Sequence, residues 1–452
     1  MNCQDEFVNN ANFNLYWKGF YEMKLNNRTI RAIALLLMIA TLSLSLTSCF
    51  LDLGYYYENM FGNNSQNGDG GGNSQDDGNG DGENNNENED GENQVTPPSD
   101  DKTEDFYPGS GQGNAEGLGE LSRTLLSTVT IVAIHNGSAG AGSGVFYSVD
   151  KEKGDAYIIT NYHVIYGGKN QGVSNAISVY LYGMETSGYA VDATFVGGSM
   201  TYDIAILKVE NSEVLKNSYA TPITFADADK IRVFDRVYAI GNSEGGGMSA
   251  TEGIVSVVSE PLDLQGADGE EISLRVMRID AAVNHGNSGG GLYDESGRLV
   301  GIVSAKDVSY DVDNMGYAIP CDLVKKIVNN VLHYCDGDKN TQMQKALMGV
   351  TITAYVSGVE IDPEDGSVYE VELVEVVSVN EGSLADGKMF EKDVINSITV
   401  DGVKKTVTRV HHVTDSMIDA REGSIVKLEI TRNGEKLEVV FEITNKAISP
   451  VK

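Results

Sequence analysis

The sequence predicts a mainly β protein, with a β-barrel or sandwich region over residues 120–337 and a smaller α+β domain over 345–446. Three observations predict it. From about Leu121, short runs rich in β-branched and aromatic residues follow one another at 129–134, 144–148, 157–160, 177–181, 204–209, 236–240, 253–258, 274–278 and 299–304. Clusters of Gly, Asn, Asp and Ser separate them, and many short strands with frequent turn signals read as closed β architecture. A helical pattern appears only afterwards, at 321–333, where Leu323, Ile327, Val328, Val331 and Leu332 share one side.

The N-terminus is built differently. Lys24, Arg28 and Arg31 precede an apolar run from 32 to about 46 that ends in Leu46-Thr47-Ser48-Cys49. A basic flank, a short apolar core and small residues before the break are the parts of an export signal. The run is shorter than the roughly 20 residues that span a bilayer comfortably. A cysteine directly after small residues resembles the lipobox of bacterial lipoproteins, which implies lipidation of Cys49 and loss of residues 1–48. An uncleaved membrane anchor is the alternative, and Met23 is a second candidate start. Either reading puts the bulk of the chain outside the cytoplasm, at the bacterial cell membrane.

Residues 50–119 read as a tether. Between 62 and 99 lie nine acidic residues and no basic one, with almost nothing apolar. Such a segment cannot bury enough surface to offset its ordering entropy. Flexible-chain scaling from 62 to 119 gives a span of roughly 40 Å. The formal charge of the whole chain is −33. A surface this acidic repels nucleic-acid phosphates, which argues against DNA or RNA as partners.

After the barrel region, strand-like runs recur at 350–356, 368–377, 394–400, 425–431 and 437–443, around one helical stretch at 407–421. Of the four cysteines, Cys321 and Cys335 flank the helix at 321–333. A continuous helix separates them by roughly 21 Å, beyond disulfide reach. His135, His333 and the pair His411-His412 lack a third ligand at metal-binding spacing, so no metal is expected. No phosphate-binding or dinucleotide fingerprint is present, and no cofactor is expected.

Three segments carry chemistry. In the first, Gly142-Ser143-Gly144 is followed by Tyr157-Ile158-Ile159-Thr160-Asn161-Tyr162-His163-Val164, a strand ending in a histidine. In the second, Tyr202-Asp203-Ile204-Ala205-Ile206-Leu207 places an aspartate at the mouth of a buried strand. The third is Asn284-His285-Gly286-Asn287-Ser288-Gly289-Gly290-Gly291, a serine in a glycine-rich turn. A hydroxyl becomes a nucleophile when an imidazole takes its proton, and a carboxylate fixes the tautomer of that imidazole. Backbone N–H groups in a glycine-rich turn can converge on a developing oxyanion.

These segments, with Glu252-Gly253-Ile254-Val255-Ser256 and Gly316-Tyr317-Ala318-Ile319-Pro320, resemble the HtrA/DegP family of trypsin-like serine proteases. The resemblance implies a chymotrypsin-like double six-stranded β-barrel with its site between the barrels. It implies His163 as general base, Asp203 as its orienting carboxylate, Ser288 as nucleophile, and the amides of Gly286 and Ser288 as the oxyanion hole. It implies a substrate pocket lined by Ile302, Val303, Ser304 and Ala305, whose apolar character favours a small or medium aliphatic residue. The C-terminal domain resembles a PDZ domain, with Met348, Gly349 and Val350 in a loop that binds peptide C-termini. The resemblance thus implies an ATP-independent endopeptidase acting on unfolded exported proteins. The resemblance also implies a homo-trimer, with Phe106 and Tyr107 as candidate stand-ins for the usual aromatic contacts.

Two departures stand in the serine turn. His285 and Gly291 occupy positions where the family usually has proline, so the turn loses local rigidity. That keeps a second reading open, a surface-tethered chaperone or peptide-binding module with a latent protease site.

Overall fold

The computed structural model describes residues 119–185, 187–304, 315–335, 341–363 and 366–452. The export segment, Cys49, the tether, the Phe106-Tyr107 pair and Ala305 lie outside the described residues. No helix among the described residues is long and apolar enough to cross a membrane.

A short helix, α1 (Glu120–Ser127), leads into six strands: β1 (Thr128–His135), β2 (Ser138–Asp150), β3 (Asp155–Thr160), β4 (Ala176–Leu181), β5 (Val191–Ser199) and β6 (Ile204–Val209). The order β5-β4-β1-β2-β3-β6, with β6 returning to β5, closes a barrel. The one-turn helices α2 (Tyr162–Ile165) and α3 (Glu213–Lys216) follow β3 and β6. The β1–β2 hairpin turns at Asn136-Gly137, both at positive φ (49° and 86°), the backbone that matches strand twist in a two-residue turn. Ile131, Phe146, Ile158, Val179 and Leu207 fill the interior.

The second barrel closes in the order β10-β11-β12-β9-β8-β7. Its strands are β7 (Arg236–Gly241), β8 (Ser249–Gln265), β9 (Glu271–Ile279), β10 (Gly291–Tyr293), β11 (Leu299–Val303) and β12 (Gly316–Pro320). Val237, Val255, Met277, Ile279, Val300 and Val303 form its core. A third apolar cluster joins the barrels: Val145, Ile159 and Ile206 meet Ile240, Tyr293 and Ile302. Helix α4 (Cys321–Tyr334) seals it with Leu323, Ile327 and Val331. The double six-stranded barrel implied by the resemblance is therefore present. Strands β5, β10 and β12 were not among the sequence-predicted runs. β10 is three residues long and presents no period-two pattern of useful length, whereas β5 carries one over 191–195, Val-Asp-Ala-Thr-Phe, which the sequence reading passed over. Cys321 and Cys335 sit at opposite ends of α4, and burial pushes the Cys321 thiol up to about 12.

The C-terminal domain follows β13 (Thr341–Ala346). It is a sheet ordered β14 (Val350–Ile361), β15 (Val368–Val379), β16 (Val394–Val400), β18 (Ile425–Arg432) and β19 (Glu435–Glu442), with β17 (Val403–Thr406) paired to β16. Helix α5 (Val410–Asp419) packs Val413 and Met417 against Ile395, Ile398, Leu428 and Phe441. The helix is shorter than the 407–421 stretch read from sequence, ending at Ala420, where the backbone becomes extended.

Two short strands tie this domain to the barrels. β13 runs parallel to β5 at Thr341↔Gly197 and antiparallel to β20 (Ile448–Val451) at Met343↔Val451. The Asn330 amide on α4 donates to the carbonyls of Gln344 on β13 and Ile418 on α5, at 2.7 and 2.8 Å. Arg275 on β9 pairs with both oxygens of Asp322 at 2.9 Å and with Asp415 on α5 at 2.8 Å. Burial pushes the Asp415 carboxyl up, against the pull of Arg275. At Asp322 the opposing burial is outweighed by Arg275, which holds that carboxyl low.

Candidate active site

His163 sits at the second position of α2, directly after β3, where Asn161 supplies the extended residue that starts the helix. Asp203 lies in the turn between β5 and β6 and adopts φ of +52°, a left-handed conformation uncommon for a side-chain-bearing residue. It is fully buried. Several groups fix the segment around it. The Asn161 amide and the Tyr162 N–H both donate to the Asp203 carbonyl, at 2.9 and 3.2 Å. The His163 backbone N–H donates to Asp203 Oδ1 at 3.0 Å, and His163 Nδ1 meets Asp203 Oδ2 at 2.8 Å. Two contacts from one residue to the two oxygens of one carboxylate define the ring orientation and the tautomer. Nδ1 carries the proton toward Asp203, which leaves Nε2 as the acceptor.

The serine turn is set against this pair. Ser143 N–H donates to the Ser288 carbonyl at 2.8 Å, and Thr160 Oγ1 donates to the Ser143 carbonyl at 2.7 Å. Gly289, at φ of +84°, lies so close that an added Cβ would sit 2.1 Å from the Ser143 carbonyl and 2.3 Å from Thr160 Oγ1. The residues just before His163 and those just after Ser288 are thus in direct contact. Ser288 itself is buried, with 5 % of its surface exposed.

The rigidity that proline does not supply comes from tertiary hydrogen bonds. Ser143 Oγ donates to the Gly286 carbonyl at 2.7 Å and accepts from Asn242 N–H at 2.9 Å. Glu244 N–H donates to the His285 carbonyl at 2.7 Å. A trans peptide points its carbonyl and N–H in opposite directions, so the Gly286 N–H faces away from Glu244. Gly286 holds φ of +91°, and a Cβ there would lie 2.1 Å from the Asn242 carbonyl. At position 291, a Cβ would lie 2.3 Å from the Tyr293 ring, so glycine makes room for that buried tyrosine.

The pocket expectation needs correction. Ile302 and Val303 are fully buried in the inter-barrel cluster and the second-barrel core, so their side chains do not line a pocket. Both edges of β11 are taken by β10 and β12, which orients alternate side chains into the two cores. The Ser304 hydroxyl instead donates to Asp203 Oδ2 at 3.4 Å. Sequence reasoning missed that role, along with the bridging part of Ser143. The only signal for Ser143 was its place in the Gly-Ser-Gly run.

In the C-terminal domain, Met348 packs into the core and Gly349 turns at φ of +86°. The Gly349 carbonyl accepts from Asn380 N–H at 2.8 Å, turning the Val350 N–H to the other side. β14 is the edge strand of its sheet.

The chain is similar to known proteins over much of its length. The profile of the trypsin-like peptidase domain matches residues 142–302. The serine protease Do-like HtrA of Bacillus subtilis is 31 % identical over 315 residues, which cover 68 % of this chain and 64 % of that protein. The periplasmic pH-dependent serine endoprotease DegQ of Escherichia coli is 30 % identical over 307 residues, 66 % of this chain and 58 % of that protein. The chain thus spans somewhat under two thirds of the length of these relatives. A solved structure of the HtrA-type protease AlgW with tripeptide covers 73 % of this chain and 96 % of its own, at 25 % identity and a TM-score of 0.49. The chain carries a trypsin-like peptidase domain and is a homologue of the HtrA/DegP serine proteases.

Proposed function

We propose that the protein is an exported, membrane-anchored, ATP-independent serine endopeptidase that degrades unfolded or damaged exported proteins. His163 is the general base, Asp203 orients it, and Ser288 is the nucleophile. The N–H groups of Gly286 and Ser288 receive the oxyanion. The observation that carries this reading is the 2.8 Å contact between His163 Nδ1 and a fully buried Asp203, set beside the Ser288 turn. In the acylation step the Ser288 oxygen bonds to the scissile carbonyl carbon while its proton passes to Nε2 of His163. The amine leaves with that proton, and water then reverses the steps to release the acid.

Export and anchoring rest on the basic flank, the apolar run at 32–46 and Cys49. The edge strand β14, the turn at Gly349 and the amides of Met348, Gly349 and Val350 support binding of peptide C-termini by strand addition. The relatives' names support the reaction class, serine proteolysis, and the substrate class is what the family resemblance implies by analogy.

The test is cleavage of reduced casein by the intact chain and by Ser288→Ala. Loss of cleavage in the variant, with fluorophosphonate labelling only in the parent, is the expected result. Cleavage that persists in Ser288→Ala would overturn the mechanism. An unreactive parent serine would favour the latent, peptide-binding alternative.

A further inference from the structure

Residues 448–452 of the C-terminal domain reach the turn that carries Asp203. Past the end of β20, the Lys452 carbonyl accepts two hydrogen bonds, from Thr201 N–H at 2.8 Å and from the Ser199 hydroxyl at 2.8 Å. Ser199 Oγ in turn accepts from Tyr202 N–H at 3.3 Å. The neighbouring strand reaches the same turn: the Lys345 ammonium donates to the Tyr202 hydroxyl at 2.9 Å and lies over its ring. The Lys452 ammonium pairs with Glu270 at 3.0 Å and with Asp268, beside the β8–β9 hairpin.

We propose that Ser199 and the 448–452 segment are positioning elements for catalysis, holding the 199–203 turn so that the Asp203 carboxylate meets His163. The inference rests on the triad reading of His163, Asp203 and Ser288. Its physical basis is the backbone of Asp203. A side-chain-bearing residue in the left-handed region is strained and persists where its surroundings over-determine it. On the C-terminal side, that constraint comes from Asn161 and Tyr162, which bond the Asp203 carbonyl. On the N-terminal side, the Thr201 and Tyr202 N–H groups bond to Lys452 and Ser199. Ser199 joins Lys452 to Tyr202, because its hydroxyl donates to the first and accepts from the second. Neither Ser199 nor Lys452 touches substrate in this role. They act through Asp203.

A structural tie would lower stability alone, whereas a positioning tie changes turnover and the imidazole. Ser199→Ala and a chain lacking 448–452 are compared with the parent and with Asp203→Asn. The readouts are kcat and KM on labelled reduced casein and the far-downfield Nδ1–H proton resonance of His163. Ser199→Ala is expected to lower kcat about tenfold to a hundredfold at unchanged KM, the scale of a small misplacement of a reacting group. Its His163 resonance should shift or broaden. If Asp203→Asn keeps full kcat, the triad reading falls and takes this inference with it. If Asp203→Asn is inactive while Ser199→Ala keeps both the parent kcat and the parent resonance, only the positioning role is overturned, even if the truncated chain fails to fold.

Discussion

The turn at 199–203 and the turn at 284–291 both pack against residues 160–162, yet they are held from different directions. The serine turn is pinned by residues of the two barrels: Ser143 and Thr160 from the first, Asn242 and Glu244 from the second. The aspartate turn is pinned on one side by Asn161 and Tyr162, and on the other by Lys452, 253 positions from Ser199. One turn is finished within the protease fold, and the other is completed by the C-terminal domain. The difference teaches that a short sequence motif says which residue does the chemistry and little about what keeps it in place.

The largest effect expected at either turn is that of Asp203→Asn. The amide offers an NH₂ where Nδ1–H needs an acceptor, so the imidazole loses its tautomer and kcat should fall on the order of 10⁴-fold. Single-turnover cleavage of casein would check this. A fall below tenfold would show that His163 is oriented by its helix rather than by Asp203.

Gly286→Ala addresses the other turn. Its Cβ would lie 2.1 Å from the Asn242 carbonyl on a backbone at φ of +91°. The 285–286 peptide must move, carrying the N–H proposed to receive the oxyanion, and loss of one such donor costs about 10²–10³-fold in kcat. The downfield His163 resonance should stay as in the parent, because none of the contacts that fix Asp203 involves Gly286. A change in that resonance would show that the two turns are mechanically joined, breaking the contrast between them.

Much of this was legible in the sequence because it is local. The order of histidine, aspartate and serine, the strand runs of both barrels and the helix over 321–333 are each written within a short stretch of chain. What was not legible depends on contacts between distant positions. Ile302 and Val303 read as pocket residues because their apolar character is visible. That character serves two cores, which only the closure of the second barrel reveals. His285 and Gly291 read as a loosened turn. Ser143 hydroxyl bonds and the Tyr293 ring, invisible to a reading of the turn itself, account for what holds it and why glycine is there. Ser304 likewise sits next to Asp203 only after β11 and β6 are brought together.

Acidification should sharpen the comparison with the smallest perturbation, because it acts on the C-terminal domain through α5. His411 and His412 stand on that helix among Ser259, Arg275, Asp322, Arg409, Lys405 and Asp229. Burial, reinforced by Arg275 and His412, pushes His411 down to about 2. Burial and then Lys405 push His412 down to about 4. Both rings are therefore neutral in the folded chain at pH 5, while in the unfolded chain they bind protons below about 6.5. The unfolded state then holds more protons, so stability falls as pH drops from about 6.5 toward about 4, by up to about 1.4 kcal/mol per pH unit for each histidine. Asp415 works with the opposite sign: its carboxyl is raised by burial, so it gains relative stability on acidification. The informative quantity is the difference in thermal midpoint between the parent and His411→Phe/His412→Phe across this range, which removes the Asp415 contribution. The parent should lose midpoint faster than the double variant. In hydrogen exchange, protection at Thr201, which depends on Lys452, should fall before protection at Glu244, which depends on His285. Equal loss at both amides would mean that the C-terminal domain supports the two turns alike.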